Sequence, residues 1–308
     1  MTAQSIAAGG MQLAGVALAP LVVGCVQWLK ARAQGRRGAS ALQPYREIRR
    51  LWSRSGVRPE SATAVYEVAV PLAVASTILA LLLLPIGSVA PDWGLGNDAL
   101  VLFGLLAVGR FALAAAAWDT GSGFELMGVA RDLTFAVFVD ALFLVVLALL
   151  AYPAHSTDLV AMSGAAASGE AWREPAQWAA AIGLVLVILA ETGRRPIDNP
   201  DTHLELTMVH EGPTLEYAGR DLALLHWTAA ARTWAVLVLA AEVLVPHPGS
   251  FAAQLLWLTG WLTLFIVLLA AAETTQPKMR LLRVPALLYG GAVIVMIGLA
   301  GRLLGASA

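Results

Sequence analysis

Eight long apolar runs constrain this chain more than any other feature of its sequence. A helix needs about 20 mostly apolar residues to cross a bilayer core of ~30 Å, and helices are expected because every backbone polar group must find its partner within the protein. The runs cover residues 6–29, 65–86, 99–118, 133–152, 175–190, 222–245, 251–272 and 284–304. The sequence therefore predicts an all-α integral membrane protein, a single membrane domain over residues 1–308 with eight transmembrane helices.

Composition agrees with this interpretation and excludes a soluble domain. Apolar residues make up 58% of the chain and charged residues 13%, whereas soluble domains carry about 25% charged residues. The net charge of −1 gives no indication of nucleic-acid binding. Cys25 is the single cysteine, so the chain cannot supply the roughly four thiolates that hold an iron–sulfur cluster or a nickel–iron centre.

Basic residues alternate between the two sides of the predicted membrane. Sixteen of the 20 Lys and Arg residues fall in the odd-numbered connections, and nine of these lie between the first and second runs. Cytoplasmic loops carry an excess of Lys and Arg, so the pattern predicts cytoplasmic loops at about 30–64, 119–132, 191–221 and 273–283. Eight crossings then leave both termini outside.

The first of these loops contains the segment ALQPYREIRRLWSR, which has the spacing of an amphipathic helix. Tyr45, Ile48, Leu51 and Trp52 fall on one helical face, and arginines surround the other. This pattern predicts an interfacial amphipathic helix after the first transmembrane helix. A basic loop helix that rests on anionic lipid is the alternative.

Ionisable residues also occur within or at the ends of the apolar runs. They are Glu67, Arg110, Asp140, Glu191, Arg232, Glu242 and Glu273. Each costs roughly 2.5–3.5 kcal/mol at membrane depth on insertion scales, so such groups usually face a bundle interior and pair. Two interpretations stay open. Pairs such as Arg110 with Asp140 either serve only to permit insertion, or belong to a hydrated polar axis that carries or senses protons.

The predicted loop at 191–221 is rich in carboxylates. It reads ETGRRPIDNPDTHLELTMVHEGPTLEYAGRD, and the loop at 119–132 adds Asp119, Glu125, Arg131 and Asp132. A solvated loop is the default interpretation of both. A metal site among the carboxylates and histidines of 191–210 lacks HExxH spacing, and a prenyltransferase would need better-spaced Asp-rich motifs to hold Mg²⁺ and diphosphate. A shared haem is excluded because His226 and His247 lie near opposite ends of the sixth run.

The same loops carry a family resemblance. The segment ETGRRPIDNPDTHLELTMVHEGPTLEYAGRDLAL resembles the signature of the hydrogenase 4 and formate hydrogenlyase membrane anchor family, which is homologous to the quinone-chamber membrane subunit of complex I. The segments RRGASALQPYREIRRLW, WDTGSGFELMGVARD and KMRLLRVPALL resemble the family in the same order along the chain. The DNPxTHxELTM stretch is similar to the hydrogenase branch rather than the NADH-dehydrogenase branch.

The resemblance implies a non-redox membrane subunit of a group 4 membrane-bound [NiFe]-hydrogenase-type complex in the bacterial inner membrane. Such a subunit binds no cofactor of its own. It docks soluble iron–sulfur and nickel–iron subunits and couples their electron transfer to proton or sodium translocation through antiporter-like membrane subunits. The alternatives are a complex I-like quinone-site subunit and a stand-alone membrane enzyme or carrier, for example a prenyltransferase.

The resemblance and the intramembrane charges together give the candidate site residues. Candidates for proton relay or coupling are Asp140, Glu191, Glu205, Glu211, Glu216, Glu242 and Glu67. Candidates for docking are Asp119, Arg131, Asp132, Arg194, Arg195, Asp198 and His203, and Arg110 and Arg232 are the candidates for intramembrane pairing. Asp132 and Asp140 stand where the family pattern has Glu, so each charge is retracted by one methylene.

Overall fold

The computed structural model describes residues 3–90, 93, 96–167, 169–198, 209, 211–248 and 250–305, and helices dominate this part of the chain. The helices are α1 (Ala3–Ala33), α2 (Gln43–Trp52), α3 (Ala64–Leu83), α4 (Ala99–Thr120), α5 (Gly123–Ala151), α6 (Leu159–Ala167), α7 (Pro175–Glu191), α8 (Gly219–Leu244), α9 (Phe251–Thr275) and α10 (Val284–Gly305). Extended residues in the same part of the chain form two isolated bridges, Ile86 with Val89 and Asp98 with Asp158. The prediction of an all-α protein is confirmed.

Seven helices among the described residues are long and apolar enough to cross a membrane: α1, α3, α4, α5, α8, α9 and α10. Each coincides with one of the predicted runs. The remaining run forms α7, whose 17 residues rise only about 25 Å, less than the ~30 Å core. The structure therefore provides seven full-length candidates, and α7 ends at Glu191 within the bundle.

The second predicted loop is shorter than the sequence pattern indicated. α4 continues to Thr120 and α5 begins at Gly123, so two residues connect them. Gly121 has a left-handed φ of 66°, which glycine adopts without the steric penalty of a Cβ, and this turn ends α4. Arg131 and Asp132 therefore lie on the third turn of α5 instead of in a loop.

The segment after α1 forms the expected helix, α2. Pro44 lies in its first turn, where the missing N–H has no helical partner to lose. The hydroxyl of Tyr45 donates to the Ala17 carbonyl at 2.6 Å, and Leu51 is buried whereas Trp52 is half exposed. α2 therefore packs on α1, and its location at the lipid interface stays a prediction.

α8 is the central helix of the bundle, and residues 235–244 are buried in succession. Its alanines allow neighbouring helices to approach closely, as is common in membrane bundles. One cluster of buried hydrophobic side chains joins it to α1, α3, α4, α5, α7, α9 and α10. Polar side chains on α8 are therefore held in the middle of the protein.

The two ends of the bundle differ. The terminal end holds the first residues of α1 and the last residues of α10, and there Gln12 Nε2 donates to the Leu82 carbonyl of α3 at 3.0 Å. The loop end holds α2, the connection between α4 and α5, and the 3-10 turn Gly212–Thr214. That turn touches α5 closely, because a Cβ added to Gly128 would lie 2.6 Å from the Gly212 Cα.

Candidate functional site

Four charged side chains from four helices meet inside the bundle and form the central ion cluster: Arg110 of α4, Asp140 of α5, Glu191 of α7 and Arg232 of α8. Arg110 Nη1 donates to Asp140 Oδ1 at 2.7 Å, and Arg110 Nη2 donates to Glu191 Oε1. Arg232 Nη2 donates to Glu191 Oε2 at 2.8 Å. The cluster carries no net charge when all four groups are ionised.

Glu191 is the most tightly held member of the cluster. Its side chain is 3% exposed, with one arginine on each carboxylate oxygen. Burying an ionised carboxylate costs several kcal/mol, and charge-assisted hydrogen bonds to two guanidinium groups offset this cost. Arg232 is fixed further because its Nη1 donates to the Leu106 carbonyl at 2.7 Å. The Glu191 side is therefore the rigid part of the cluster.

Asp140 is the more accessible acid of the central ion cluster. Its side chain is 28% exposed and pairs with Arg110 through Oδ1. Asp132 lies two helical turns nearer to the loop end, with its Oδ2 4.0 Å from Arg110 Nε. Protonation of Asp140 would remove one ion pair and leave both pairs of Glu191 in place. The geometry thus allows one acid to change its charge while the other holds the arginines.

A second buried acid, Glu273 of α9, forms the Glu273 cluster at the loop end. The side chain is fully buried, and its Oε2 lies 3.0 Å from Lys30 Nζ. Arg194 Nη1 donates to Oε1, and Arg195 Nη1 donates to the backbone carbonyl of Glu273 at 3.1 Å. Arg194 follows Glu191 by three residues, so the segment after α7 connects this cluster directly to the central one.

Asp198 fixes the same segment to the connection before α10. Its Oδ1 lies 3.1 Å from Lys278 Nζ, and its Oδ2 accepts from the Val209 N–H at 3.3 Å. Sequence reasoning selected Asp198 but gave no site role to Glu273 or Lys30. Both residues lie at the ends of apolar runs, which marks them as candidates for buried charges. The sequence does not show, however, that the ends of these two runs are neighbours in the fold.

Three other candidates lie at the loop end without joining either cluster. Asp119 caps α3, since its carboxylate accepts from the Thr63 N–H at 2.7 Å and from the Tyr66 N–H at 3.2 Å. Glu67 pairs with Arg58, and both side chains are half exposed. Glu216 contributes its backbone carbonyl, which accepts from the Tyr66 hydroxyl at 2.9 Å. The contacts of Asp119 and Glu216 are those of groups that hold the loop end together.

A buried pair of tyrosines lies beside a buried acid at the loop end. The rings of Tyr66 and Tyr217 stack with centroids 4.4 Å apart, and burial, followed by the proximity of Tyr66 and Glu125, raises the pKa of Tyr217 well above its usual range. Glu125 is fully buried; its Oε2 accepts from the Thr120 hydroxyl at 2.7 Å. Its Oε1 has no hydrogen-bond partner within the described part of the chain. The sequence pattern predicts Glu125 to be a charge of the 119–132 loop, whereas it lies in the first turn of α5.

A cavity of about 510 Å³ extends from the loop end to the central ion cluster. The charged and histidine side chains of its lining are Glu47, Arg110, Asp132, Glu191, Arg194, Asp198, Glu211, His226 and Arg232. Its apolar lining includes Val23 of α1, Ile48 of α2 and Leu225 of α8. The cavity therefore brings candidates of all three kinds, relay, docking and pairing, to one chamber.

The remaining candidates lie away from the cavity or fall outside the residues that the structure describes. Glu242 is ten residues beyond Arg232 on α8, about 15 Å along the helix axis, near the terminal end. Arg131 lines a separate groove of about 400 Å³ beside α10, next to Leu282. His203 and Glu205, and also His210, fall outside the described residues. Among the residues that are described, no group of three His, Cys, Asp or Glu side chains could hold a metal ion.

The apolar helices together with buried ion pairs at their centre define a multi-pass membrane protein. The chain matches the family model described as NADH dehydrogenase over residues 8–302. It belongs to this family, and its relatives include a component of hydrogenase 4 and a subunit of formate hydrogenlyase, as the resemblance indicated.

Two of those relatives come from Escherichia coli (strain K12). The chain is 30% identical to hydrogenase-4 component C over 279 residues, which cover 86% of this chain and 85% of the relative. It is 29% identical to formate hydrogenlyase subunit 4 over 292 residues, which cover 89% and 91% of the two chains. A solved archaeal complex, the membrane-bound sulfane sulfur reductase, contains a chain with the same fold. The two chains superpose with a TM-score of 0.78 at 16% sequence identity, and the match covers 96% of this chain and 97% of the archaeal chain.

A more distant relative belongs to another respiratory enzyme. The chain is 25% identical over 235 residues to a subunit of the NADH-quinone oxidoreductase of Koribacter versatilis (strain Ellin345). These residues cover 73% of this chain and 51% of that relative. The similarity to a complex I-type protein is therefore weaker and shorter than the similarity to the two hydrogenase-type proteins.

Proposed function

We propose that this chain is the non-redox membrane subunit of a group 4 [NiFe]-hydrogenase-type complex in the bacterial inner membrane. It docks iron–sulfur and nickel–iron subunits at the loop end, binds no cofactor itself, and works beside antiporter-like subunits to couple electron transfer to proton or sodium movement. The observation that carries the proposal is the central ion cluster, which the 510 Å³ cavity connects to the loop end. Buried ion pairs that only permitted insertion would not need such a chamber.

The proposed topology has eight crossings with both termini outside. α7 supplies the eighth crossing: its helix is short, and the segment after Glu191 completes the passage to the cytoplasmic side along the cavity wall. The rings of Trp172 and Trp178 meet edge to face at 4.9 Å near the start of α7, which suits an aromatic anchor at the membrane interface. The arginines of α2 then lie on the cytoplasmic side, as the distribution of basic residues requires.

Coupling is proposed to pass through the segment that follows α7. A change of charge on a docked partner would act first on the Glu273 cluster through Arg194, three residues from Glu191. A shift of Glu191 changes the field that Arg110 exerts on Asp140, and this biases whether Asp140 holds a proton. Coupling of this kind requires two states of the cluster that the partner and the proton stabilise differently.

Neutralising Asp140 tests the coupling proposal. In the complete complex reconstituted into vesicles, Asp140→Asn should leave hydrogen evolution from an artificial electron donor near its normal rate. Ion uptake per electron should fall by roughly 100-fold, the usual contribution of a positioned proton-transfer group. Asp221→Asn is the matched control, because Asp221 is an exposed acid in the first turn of α8. Normal uptake in Asp140→Asn would refute the relay, and loss of assembly alone would leave only an anchoring role.

A complex I-like quinone-site subunit is the second candidate. The same cavity favours it, because apolar side chains of α1 and α2 face the charged lining across a space suited to an amphipathic ring compound. A photoreactive quinone analogue should then label residues of α1, α2 or α8 in the assembled complex, and excess unlabelled quinone should suppress the labelling. If excess unlabelled quinone does not suppress the labelling, this second candidate is excluded.

A further inference from the structure

A fully buried carboxylate lies near the end of α8 that is remote from the central ion cluster. Glu242 is fully buried, and its Oε1 accepts from the Gly87 N–H at 2.8 Å. Its Oε2 accepts from the Ser88 N–H at 3.1 Å and from the Ser163 hydroxyl at 3.2 Å. Gly87 and Ser88 both have left-handed φ angles, 62° and 57°, and such turns aim successive N–H groups at one anion.

His247 continues this network towards the surface of the terminal end. Its Nε2 lies 2.9 Å from the Ser163 hydroxyl oxygen and 3.0 Å from the Ser163 carbonyl oxygen. A carbonyl oxygen only accepts hydrogen bonds, so Nε2 must carry a hydrogen. The imidazole is partly exposed and meets the Trp257 ring edge to face, with centroids 5.5 Å apart.

The hydrogen bonds that end on the Glu242 carboxylate and on the Ser163 carbonyl oxygen have a fixed direction, because both groups accept. An ionised carboxylate only accepts, so the Ser163 hydroxyl donates to Glu242 and keeps its lone pairs for a donor. The one hydrogen on His247 Nε2 is such a donor, shared among the Ser163 carbonyl oxygen at 3.0 Å and the hydroxyl oxygens of Ser163 and Ser88, both at 2.9 Å. His247, Ser163 and Glu242 therefore form an unbroken series of donors and acceptors that runs from a partly exposed imidazole to a fully buried acid.

We propose that this series is a proton path by which Glu242 exchanges a proton with the terminal end. Water gives a proton to His247 Nδ1, and Nε2 gives its proton to Ser163 Oγ. Ser163 passes its own hydroxyl proton to Glu242 Oε2. One proton is thereby moved from water to the buried carboxylate, and the imidazole is left as its other neutral tautomer. The inference goes beyond the proposed function, because it concerns this chain alone and needs no partner subunit.

The part of α8 between Glu242 and the central ion cluster is mostly apolar, which favours proton exchange of Glu242 with the terminal end. Residues 235–241 of α8, which form most of the helix between Arg232 and Glu242, are all apolar and buried. His247 is the titratable side chain that faces Glu242 from the surrounding described segments. The 86–89 turn contributes two N–H groups and the Ser88 hydroxyl, which lies 2.8 Å from Ser163 Oγ and 2.9 Å from His247 Nε2, and α6 contributes Ser163. The alternative is a permanently ionised Glu242 that only holds the 86–89 turn against α8.

Infrared difference spectroscopy after a rapid pH drop tests the proposal on the assembled complex in lipid nanodiscs. The wild type should develop a protonated-carboxyl band that Glu242→Gln removes and Glu242→Asp shifts. Ser163→Ala and His247→Ala keep the carboxylate and its two N–H donors, and each should slow the band by roughly 100-fold. His155→Ala, an exposed histidine at the same end, should not change the rate.

Two results would overturn the proton path. The first is the absence of any band that responds to substitution of Glu242 while the protein remains folded, which would leave the structural role. The second is an unchanged rate in either Ser163→Ala or His247→Ala, which would mean that the proton reaches Glu242 by another path. Neither result bears on Asp140 or on docking, so the proposed function would stand or fall separately.

Discussion

At the scale of single residues, Glu191 is the side chain on which the central ion cluster depends. It alone accepts from both Arg110 and Arg232 within the described structure. Asp140 reaches Arg110 from one side and is more exposed. Loss of the Glu191 charge would leave two guanidinium groups with one acid between them at membrane depth.

Glu191→Gln should therefore destabilise the protein strongly. Removing one partner of a buried ion pair typically costs about 3–5 kcal/mol, because the remaining charge stays buried. The measurement is the thermal unfolding midpoint of the complex in mild detergent. Glu67→Gln is the control, since its pair with Arg58 is half exposed and such pairs contribute about 1 kcal/mol or less. Equal midpoints for the two variants would contradict the assigned role of Glu191.

At the scale of elements, α5 and the Gly212–Thr214 turn depend on a glycine contact. A Cβ on Gly128 would meet the Gly212 Cα at 2.6 Å, whereas a Cβ on Gly123 would meet nothing within 4 Å. The added Cβ of residue 128 and the Cα of Gly212 are both fixed by the backbone, so no side-chain rotation can relieve this contact. The acidic loop that carries Glu211 is seated on α5 at this point.

Gly128→Ala should displace the turn and cost roughly 1–3 kcal/mol, the usual penalty of overpacking. Gly123→Ala should be neutral or slightly stabilising, because alanine favours helix over glycine by about 1 kcal/mol. Unfolding midpoints compare the two variants, and protease cleavage in the 191–221 segment reports the displacement. The opposite order of stability would show that the turn is not seated by this contact.

α2 packs against α1 and α8, and Leu51 is its one buried residue. Leu51 is buried, whereas Arg49 on the same helix is exposed. Leu51→Ala should increase protease cleavage within residues 34–63, since truncating a buried leucine costs about 2–5 kcal/mol. Arg49→Ala should leave the cleavage rate unchanged. Equal rates would mean that α2 is held by the Tyr45 hydroxyl and not by apolar contact.

At the scale of the whole molecule, the short α7 decides the topology. In a chain whose lone cysteine is removed by Cys25→Ser, Gly305→Cys and Ser55→Cys place a thiol at exposed positions of the two ends. A membrane-impermeant thiol reagent on intact spheroplasts should label Gly305→Cys and reach Ser55→Cys only after permeabilisation. Equal labelling of both positions would place them on one side and exclude the eight-crossing arrangement.

Assembly is the second property of the whole molecule. Gentle detergent purification of a tagged chain should recover nickel–iron, iron–sulfur and antiporter-like subunits in fixed ratio. Recovery of a lone polypeptide with its own catalytic activity would instead support the stand-alone enzyme or carrier. The outcome separates the two classes directly, because an anchor without redox groups has no activity alone.

The sequence by itself determined that this chain folds in lipid as a bundle of helices, because about 20 apolar residues in a row allow no other solution for the backbone. It also indicated the family, through motifs in the charged loops, and it identified Arg110 with Asp140 as a pair to consider. Local patterns suffice for the helices and for the family motifs, since each depends on residues that are near one another in the chain, and the Arg110–Asp140 pair followed from the opposite charges of two neighbouring runs.

Only the tertiary structure decided which charged groups meet. Glu191 joins Arg110 across 81 positions of chain, Lys30 of α1 joins Glu273 of the neighbouring α9 although the two are far apart in the sequence, and Glu242 is separated from both clusters. The sequence pattern leaves open whether these acids form separate pairs or one polar axis, and packing divides them into two neighbouring clusters and a remote site. The reason is physical: apolar faces of membrane helices resemble one another, so close packing of small residues and the pairing of buried charges select the neighbours.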